Sequence, residues 1–244
     1  MARVCVDSNY FLVNDSGQLT HKPGSIGFLT ALMITSFTSV NFEKSDYPTA
    51  KWLFVEAVGG GGGGAGALTT SGWGIAQGGG GGAAYCASWL DVDTLPGLVP
   101  MQAGNGGSGG PLGNNPGING QPSSFGSYVI APGGFGALIT TTQSTSGVGR
   151  GAEPSNLGTG QIRRRGSGGG HSIMTSGFYK FAGDGGHSGL GFGGGQGGIN
   201  DNDFGRPGQP LSGGGGGSAT AYNTSGSAVG GAGGTGYVRI SIYA

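Results

Sequence analysis

The sequence predicts an all-β protein. Three observations carry that expectation. Several short segments alternate apolar and polar side chains, glycine arrives in runs, and no stretch shows the spacing of an amphipathic helix. The chain holds 63 glycines, and each one placed inside a helix would cost about 1 kcal/mol relative to alanine.

The strands can be taken in chain order. Residues 10–13 and 18–20 flank Asn14-Asp15-Ser16-Gly17, a turn-forming run, which predicts a short hairpin. Residues 51–58, KWLFVEAV, are apolar on nearly both faces and predict a strand buried on both sides. Further strands are expected at 84–92, 98–102, 127–131 and 137–142. Residues 237–243 alternate cleanly, with Val238, Ile240 and Ile242 on one face and Tyr237, Arg239 and Ser241 on the other.

Glycine is unevenly spread. Residues 1–58 hold only Gly17, Gly24 and Gly27, whereas runs fill 59–64, 78–82 and 213–217. The runs follow no fixed period, which argues against a solenoid or a collagen-like repeat. One reading is polyglycine II, an extended helix with three residues per turn and a rise of about 3.1 Å, so that residues 59–64 would span roughly 19 Å. Ordering glycine is entropically expensive, so such helices need their backbone groups paired together. The other reading is a set of flexible loops between strands. The residues leave these two open.

Charge is scarce, at 9% of residues, and Lys+Arg equals Asp+Glu at 11 each. Such a chain lacks the clustered cations that phosphate binding requires, which argues against a nucleic-acid partner. It also lacks the high net charge of disordered chains, although its glycine and proline content is in their range. The low charge reads as surface covered in an assembly. Cys5 and Cys86 form neither a disulfide framework nor a metal quartet and read as free thiols. The N-terminus does not read as a signal peptide. The apolar-rich stretch 26–37 is too short for a membrane span.

Catalytic patterns fail on context. Gly106-Gly107-Ser108-Gly109-Gly110 has the G-x-S-x-G form but no helix follows it. Gly189–Gly194 has the G-x-G-x-x-G form without a strand before it and a helix after it, so no dinucleotide cofactor is expected. His171 and His187 flank Asp184, but nothing sets them at ligand spacing. Asn200-Asp201-Asn202-Asp203 offers oxygens of the kind a hard cation takes, yet reads first as a polar turn. Arg163-Arg164-Arg165 reads as a solvated loop. The expectation is a protein that is not an enzyme and carries no metal. Phe178, Tyr179, Phe181, Phe192 and Phe204 sit among glycines. Such rings either anchor loops to a core or form a recognition surface.

A series of elements in order also resembles a known family. An aromatic and hydroxyl-rich strand at Ser36-Phe37-Thr38-Ser39-Val40 leads through Tyr47-Pro48 to residues 52–58 and the first glycine run. Then come GGGGGAAYCASWLDVDTLPG at 78–97, Gln102-Ala103-Gly104-Asn105-Gly106-Gly107, Ser123-Ser124-Phe125-Gly126, and a closing G-G-A-G-G-x-G-x-V-x-I at 230–240. Over most of 33–244 this resembles the glycine-rich minor tail proteins of phages, the tail-tip or fibre-tip adhesins. The resemblance implies a β-sandwich or jelly-roll-like domain with glycine-rich loops, often assembled as a homotrimer. It implies a virion protein made in the host cytoplasm, with other phage tail proteins and a host cell-surface glycan or protein as partners.

The organisation expected is an N-terminal attachment segment with a hairpin at 1–32 and a glycine-rich β domain at 33–244. Residues 143–212 form an insertion longer than short family examples suggest. The receptor-binding candidates fall there: Phe178, Tyr179, Phe181, Phe192, His171, His187 and Arg164. The expected function is a structural tail-tip protein contributing to host adhesion. The alternative is a tip component that packs on neighbouring tail proteins and touches no receptor. A glycine-rich RNA-binding segment and an envelope depolymerase are disfavoured, since neither Arg-Gly-Gly repeats nor a paired carboxylate site is present.

Overall fold

The computed structural model describes residues 11–13, 19–21, 27–35, 37, 39–69, 73–139, 147–149, 151–175, 179–191, 193–199, 201–211, 213–222 and 226–244. Among these the strands, in chain order, begin with β1 Phe11–Val13, β2 Leu19–His21, β3 Phe28–Ile34, β4 Val40–Glu43 and β5 Trp52–Val58. They continue with β6 Ala67–Leu68, β7 Gly74–Ala76, β8 Tyr85–Asp91, β9 Leu98–Gln102, β10 Ser123–Phe125 and β11 Val129–Ala131. The last are β12 Gly147–Gly149, β13 Ile162–Arg164, β14 Ser172–Thr175, β15 Tyr179–Phe181, β16 Thr220–Tyr222, β17 Ser227–Ala228 and β18 Tyr237–Tyr243. The described helices are two 3-10 turns, Lys44–Asp46 and Val92–Thr94, so the all-β expectation holds. No helix among the described residues is long and apolar enough to cross a membrane.

Two antiparallel sheets share one core. The five-stranded sheet runs β13-β8-β5-β18-β3 and the four-stranded sheet β11-β10-β9-β4. Alternation sets which residues face inward. Leu53, Val55 and Ala57 of β5 and Val238, Ile240 and Ile242 of β18 are fully buried against Phe42, Val99, Met101, Phe125 and Val129 from the other sheet. Strand β3, which runs across residues 32 and 33, pairs along β18 as the edge strand. The N-terminal hairpin forms as β1 against β2, and its turn lies outside the described residues.

Strand β5 departs from expectation. Its inner face is buried, but its outer face is covered only at one end, with Val58 buried, Phe54 half-buried and Trp52 47% exposed. At the lattice end of that face Val58 is buried with Tyr85 and Ala87, and Leu190 packs against them; toward Trp52 the face is open among the described residues. Its rings form a row of tilted and T-shaped contacts: Phe54 on Trp89 at 5.0 Å, Trp89 on Tyr243 at 5.1 Å, and Tyr243 on Phe28 at 5.9 Å. Residues 137–139 also differ, forming no strand; 140–142 lie outside the described residues. Ala137 instead donates its N–H to Gly63 at 2.8 Å, which draws it into the glycine region.

The glycine runs are polyglycine II helices in a hexagonal array. Within residues 60–64 every N–H donates and every C=O accepts, all at 2.8–2.9 Å. Gly60 and Gly63 donate to Gln121 and Ile118, Gly61 and Gly64 to Gly234 and Gly231, and Gly62 to Gly81. Their carbonyls accept from Gly134 and Ala137, from Gly107 and Gly110, and from Gly216. The three-residue spacing is that of a threefold helix, and it brings six segments around one. Residues 78–84 and 213–219 are surrounded in the same way and touch 59–66, so the three longest runs form the centre.

Glycine is required here by close approach. A Cβ built on Gly62 would lie 2.0 Å from the carbonyl oxygen of Phe135, and one on Gly64 would lie 2.0 Å from that of Gly217. Burial of so much backbone is tolerable only because each polar group is paired.

The array grows out of the sandwich. Strands β5, β9 and β11 run outward into 59–66, 104–110 and 132–137, while 78–84, 115–121 and 230–236 run back into β8, β10 and β18. Residues 151–158, 166–170, 183–189, 193–198, 205–209 and 213–219 supply the remaining passes in alternating direction. A lattice hydrogen bond contributes about 1 kcal/mol net, whereas ordering one backbone residue costs about 1–2 kcal/mol. The lattice therefore depends on the apolar sandwich that holds its strands in register. Ser123 ties the two together: its hydroxyl accepts from Gly104 N–H at 2.8 Å and donates to the carbonyl of Val58 at 2.5 Å, fully buried.

Candidate recognition surface at the far end of the lattice

Alternating passes divide the connections into two sets. One set turns beside the sandwich. The other turns at the far end, where it forms small structures of its own. Strand β6 pairs with β17, β7 with β16, and β14 with both β12 and β15. Ala67, Ile75, Ala219, Ala221 and Ala228 make a small apolar plug that closes the end of the lattice. Side chains take over where the glycine pattern stops. The hydroxyl of Ser218 accepts from Ala65 N–H at 2.7 Å and donates to Gly78. Asn114 accepts from Leu68 N–H at 2.8 Å, and Ser172 donates to Ala76 at 2.7 Å.

This end exposes large apolar side chains on a rigid base. Trp73, Leu112, Ile173, Phe181, Ile199 and Phe204 are each 47–60% exposed. Ile173 and Phe181 face each other across β14 and β15. Beneath them Lys180 is buried and paired with Asp201, which fastens β15 to the neighbouring turn.

The expected site residues do not gather in one place. His171 and Phe181 lie at the far end, together with the backbone of Tyr179; the Tyr179 side chain, Phe178 and Phe192 are outside the described residues. His171 accepts from Gly151 N–H through Nδ1 at 3.2 Å. His187 lies near the sandwich, where its N–H donates to Ser167 Oγ at 2.8 Å and its Nδ1 accepts from Gly194. Arg164 is in β13, opposite Tyr85 on the sandwich edge. Trp73, Leu112, Ile173 and Ile199 were not singled out by sequence. The signal that finds them is the count of passes, which fixes the end at which each loop turns.

The motifs set aside on sequence have structural places. Gly106–Gly110 is a lattice helix, with the Ser108 carbonyl accepting from Ile118. Asp203 accepts from Ile199 N–H at 3.1 Å and pairs with Arg206 at 3.6 Å, so it links the two lattice passes on either side of it. At the sandwich end, Tyr85 donates to Glu56 at 2.9 Å; burial, then Glu56, pushes its phenol far above the ordinary value. Burial likewise pushes the Cys86 thiol up.

Compared with known proteins, the sequence from residue 38 to residue 243 matches a glycine-rich domain family, to which the chain therefore belongs. None of the curated proteins compared with it matches.

Proposed function

We propose that this member of the glycine-rich domain family is a structural virion protein of a phage tail tip that contributes to host-surface adhesion. In this reading the sandwich faces the virion and the far-end loops face the cell. The supporting observation is the grouping of exposed Trp73, Leu112, Ile173, Phe181, Ile199 and Phe204 at one end of the glycine-rich lattice. Exposed rings and branched chains on fixed loops supply contact area at low entropic cost. Weak individual contacts would gain avidity from a homotrimer. No bond need be broken for this role.

The test is saturable binding of the fluorescently labelled protein to a panel of bacterial strains, with competition against phage adsorption. The double variant Trp73→Ala, Phe181→Ala should lose at least tenfold in cell binding while keeping its thermal transition. Equal binding by that variant would refute the role of the far end. A second reading, a tip component that only packs on neighbouring tail proteins, is favoured by the uncovered ring row of Trp52, Trp89 and Tyr243. Absence of cell binding by the folded protein would select it.

A further inference from the structure

We propose that strand β13 and the sheet face beside it dock an acidic segment of a neighbouring protein, with Arg163, Arg164 and Arg165 receiving its carboxylates and Ile162 and Trp89 its apolar side chains. This goes beyond the adhesin reading and rests only on its placing the sandwich toward the virion.

Eight of the chain's 11 Lys and Arg residues are described. Five of them reach a carboxylate: Lys44 and Lys51 share Asp93, Lys180 takes Asp201, Arg206 takes Asp203 and Arg239 takes Glu56. The other three stand side by side at 163–165, each exposed, and none of them pairs with an acid among the described residues. On sequence this run reads as a solvated loop. The structure instead builds Arg163 and Arg164 into β13, at the edge of the five-stranded sheet, with Arg165 directly after it. Like charges this close repel one another, and an acidic partner relieves that repulsion.

The three guanidiniums stand on a fixed base, because side-chain hydrogen bonds hold both ends of β13. Gln161 grips Trp89 twice: Trp89 N–H donates to Oε1 at 3.0 Å, and Nε2 donates to the Trp89 carbonyl at 3.3 Å. Gln161 N–H donates to Ser88 Oγ at 2.9 Å, and beyond the run Gly166 N–H donates to Ser155 Oγ at 2.8 Å. Less freedom is then lost on docking. The register sets Ile162 opposite Ala87 and Arg164 opposite Tyr85, on the face that carries Trp89, and Arg163 on the other side of the strand. Ile162 is 43% and Trp89 46% exposed. Arginine beside exposed aromatic surface is the composition enriched at protein interfaces. A guanidinium forks onto a carboxylate through two parallel hydrogen bonds, which fixes orientation as well as charge. Nucleic acid asks for cations along a long track of phosphates, whereas this run is short and the chain's net charge is zero.

The test is fluorescence anisotropy on the full chain with a short labelled peptide alternating glutamate and leucine, its glutamine–leucine counterpart, and polygalacturonate and polyuridylate as competitors. Cell binding is measured on the same samples. The proposal expects saturable binding of the acidic peptide that weakens as salt rises, and none of the glutamine peptide. Binding should weaken about tenfold or more in the triple variant Arg163→Gln, Arg164→Gln, Arg165→Gln, and in the same direction in Arg164→Glu alone. These residues are exposed, so the thermal transition should not move. The double variant Lys51→Gln, Arg206→Gln removes positive charge elsewhere and should bind the peptide as the parent does. No binding of the acidic peptide, equal binding by the triple variant, equal loss in the double variant, or preference for either competitor would overturn the proposal. Loss of cell binding in the triple variant would turn this edge toward the cell and overturn it too. If the protein binds cells but not the acidic peptide, the docking proposal falls and the adhesin reading stands. If the peptide binds through the arginines but no strain is bound, the adhesin reading falls and the docking edge stands.

Discussion

Gly62→Ala tests the lattice at its centre. The added Cβ would sit 2.0 Å from the carbonyl oxygen of Phe135, 2.3 Å from its carbon and 2.8 Å from Gly136 N. That is more than an ångström inside ordinary contact, and every opposing atom is backbone. Residues 134–137 would have to move away, and they are held by Gly134 N–H to Gly60, Gly81 N–H to Phe135 and Ala137 N–H to Gly63, at 2.8–2.9 Å. Each buried group left unpaired costs about 1–3 kcal/mol, so losing two or three bonds costs about 3–6 kcal/mol. A domain of this size is stable by about 5–15 kcal/mol, and 1 kcal/mol shifts its Tm by about 2–4 °C. The expected outcome is a Tm lowered by about 10–20 °C, measured by circular dichroism or calorimetry. The control is Gly97→Ala, where an added Cβ meets nothing within 4 Å, and whose Tm should move by no more than about 2 °C. Equal Tm values for the two variants would refute the close-packed account of the glycine runs.

Two further outcomes follow from single side chains. Ser123→Ala should destabilise by about 2–4 kcal/mol in urea unfolding, because Gly104 N–H and the Val58 carbonyl lose their buried partner together; a change within about 0.5 kcal/mol would show that the junction tolerates slack. Tyr85 gives an alkaline signature: its phenol is raised in the fold, so above the ordinary tyrosine value, about 10, the unfolded chain sheds a proton the folded chain keeps. The stability from this group is therefore complete below about pH 10 and declines as pH rises further, and Tyr85→Phe should flatten that decline in denaturant titrations at several pH values.

What was readable in the sequence follows from where the information lies. Strand β18 announces itself because Val238, Ile240 and Ile242 alternate with Tyr237, Arg239 and Ser241, and β5 because 51–58 is a short run apolar on nearly both faces. The exposure of Trp52 was not readable, because Trp52 and Phe54 look like core residues whether or not anything covers them. Polyglycine II and flexible loops stayed equal, because Gly60 finds Gln121, and Gly61 finds Gly234, at long sequence separation. Glycine has no side chain to record which neighbour it meets. Residues 143–212, set apart as an insertion, contribute passes on the flank of the same array, with Gly169 and Gly183 bonded to Ala152 and Gln77. His171 and His187, 16 positions apart, end at opposite ends of the array because the chain reverses once between them.

The common axis of the passes has a mechanical consequence. A pull on the far-end loops runs along backbones that are already extended, at about 3.1 Å per residue, and that have little length left to give. The bonds between passes lie across the pull and are loaded in shear together rather than opened one after another. Force applied at the tip is thus handed, almost without stretch, to the sandwich strands from which the passes arise.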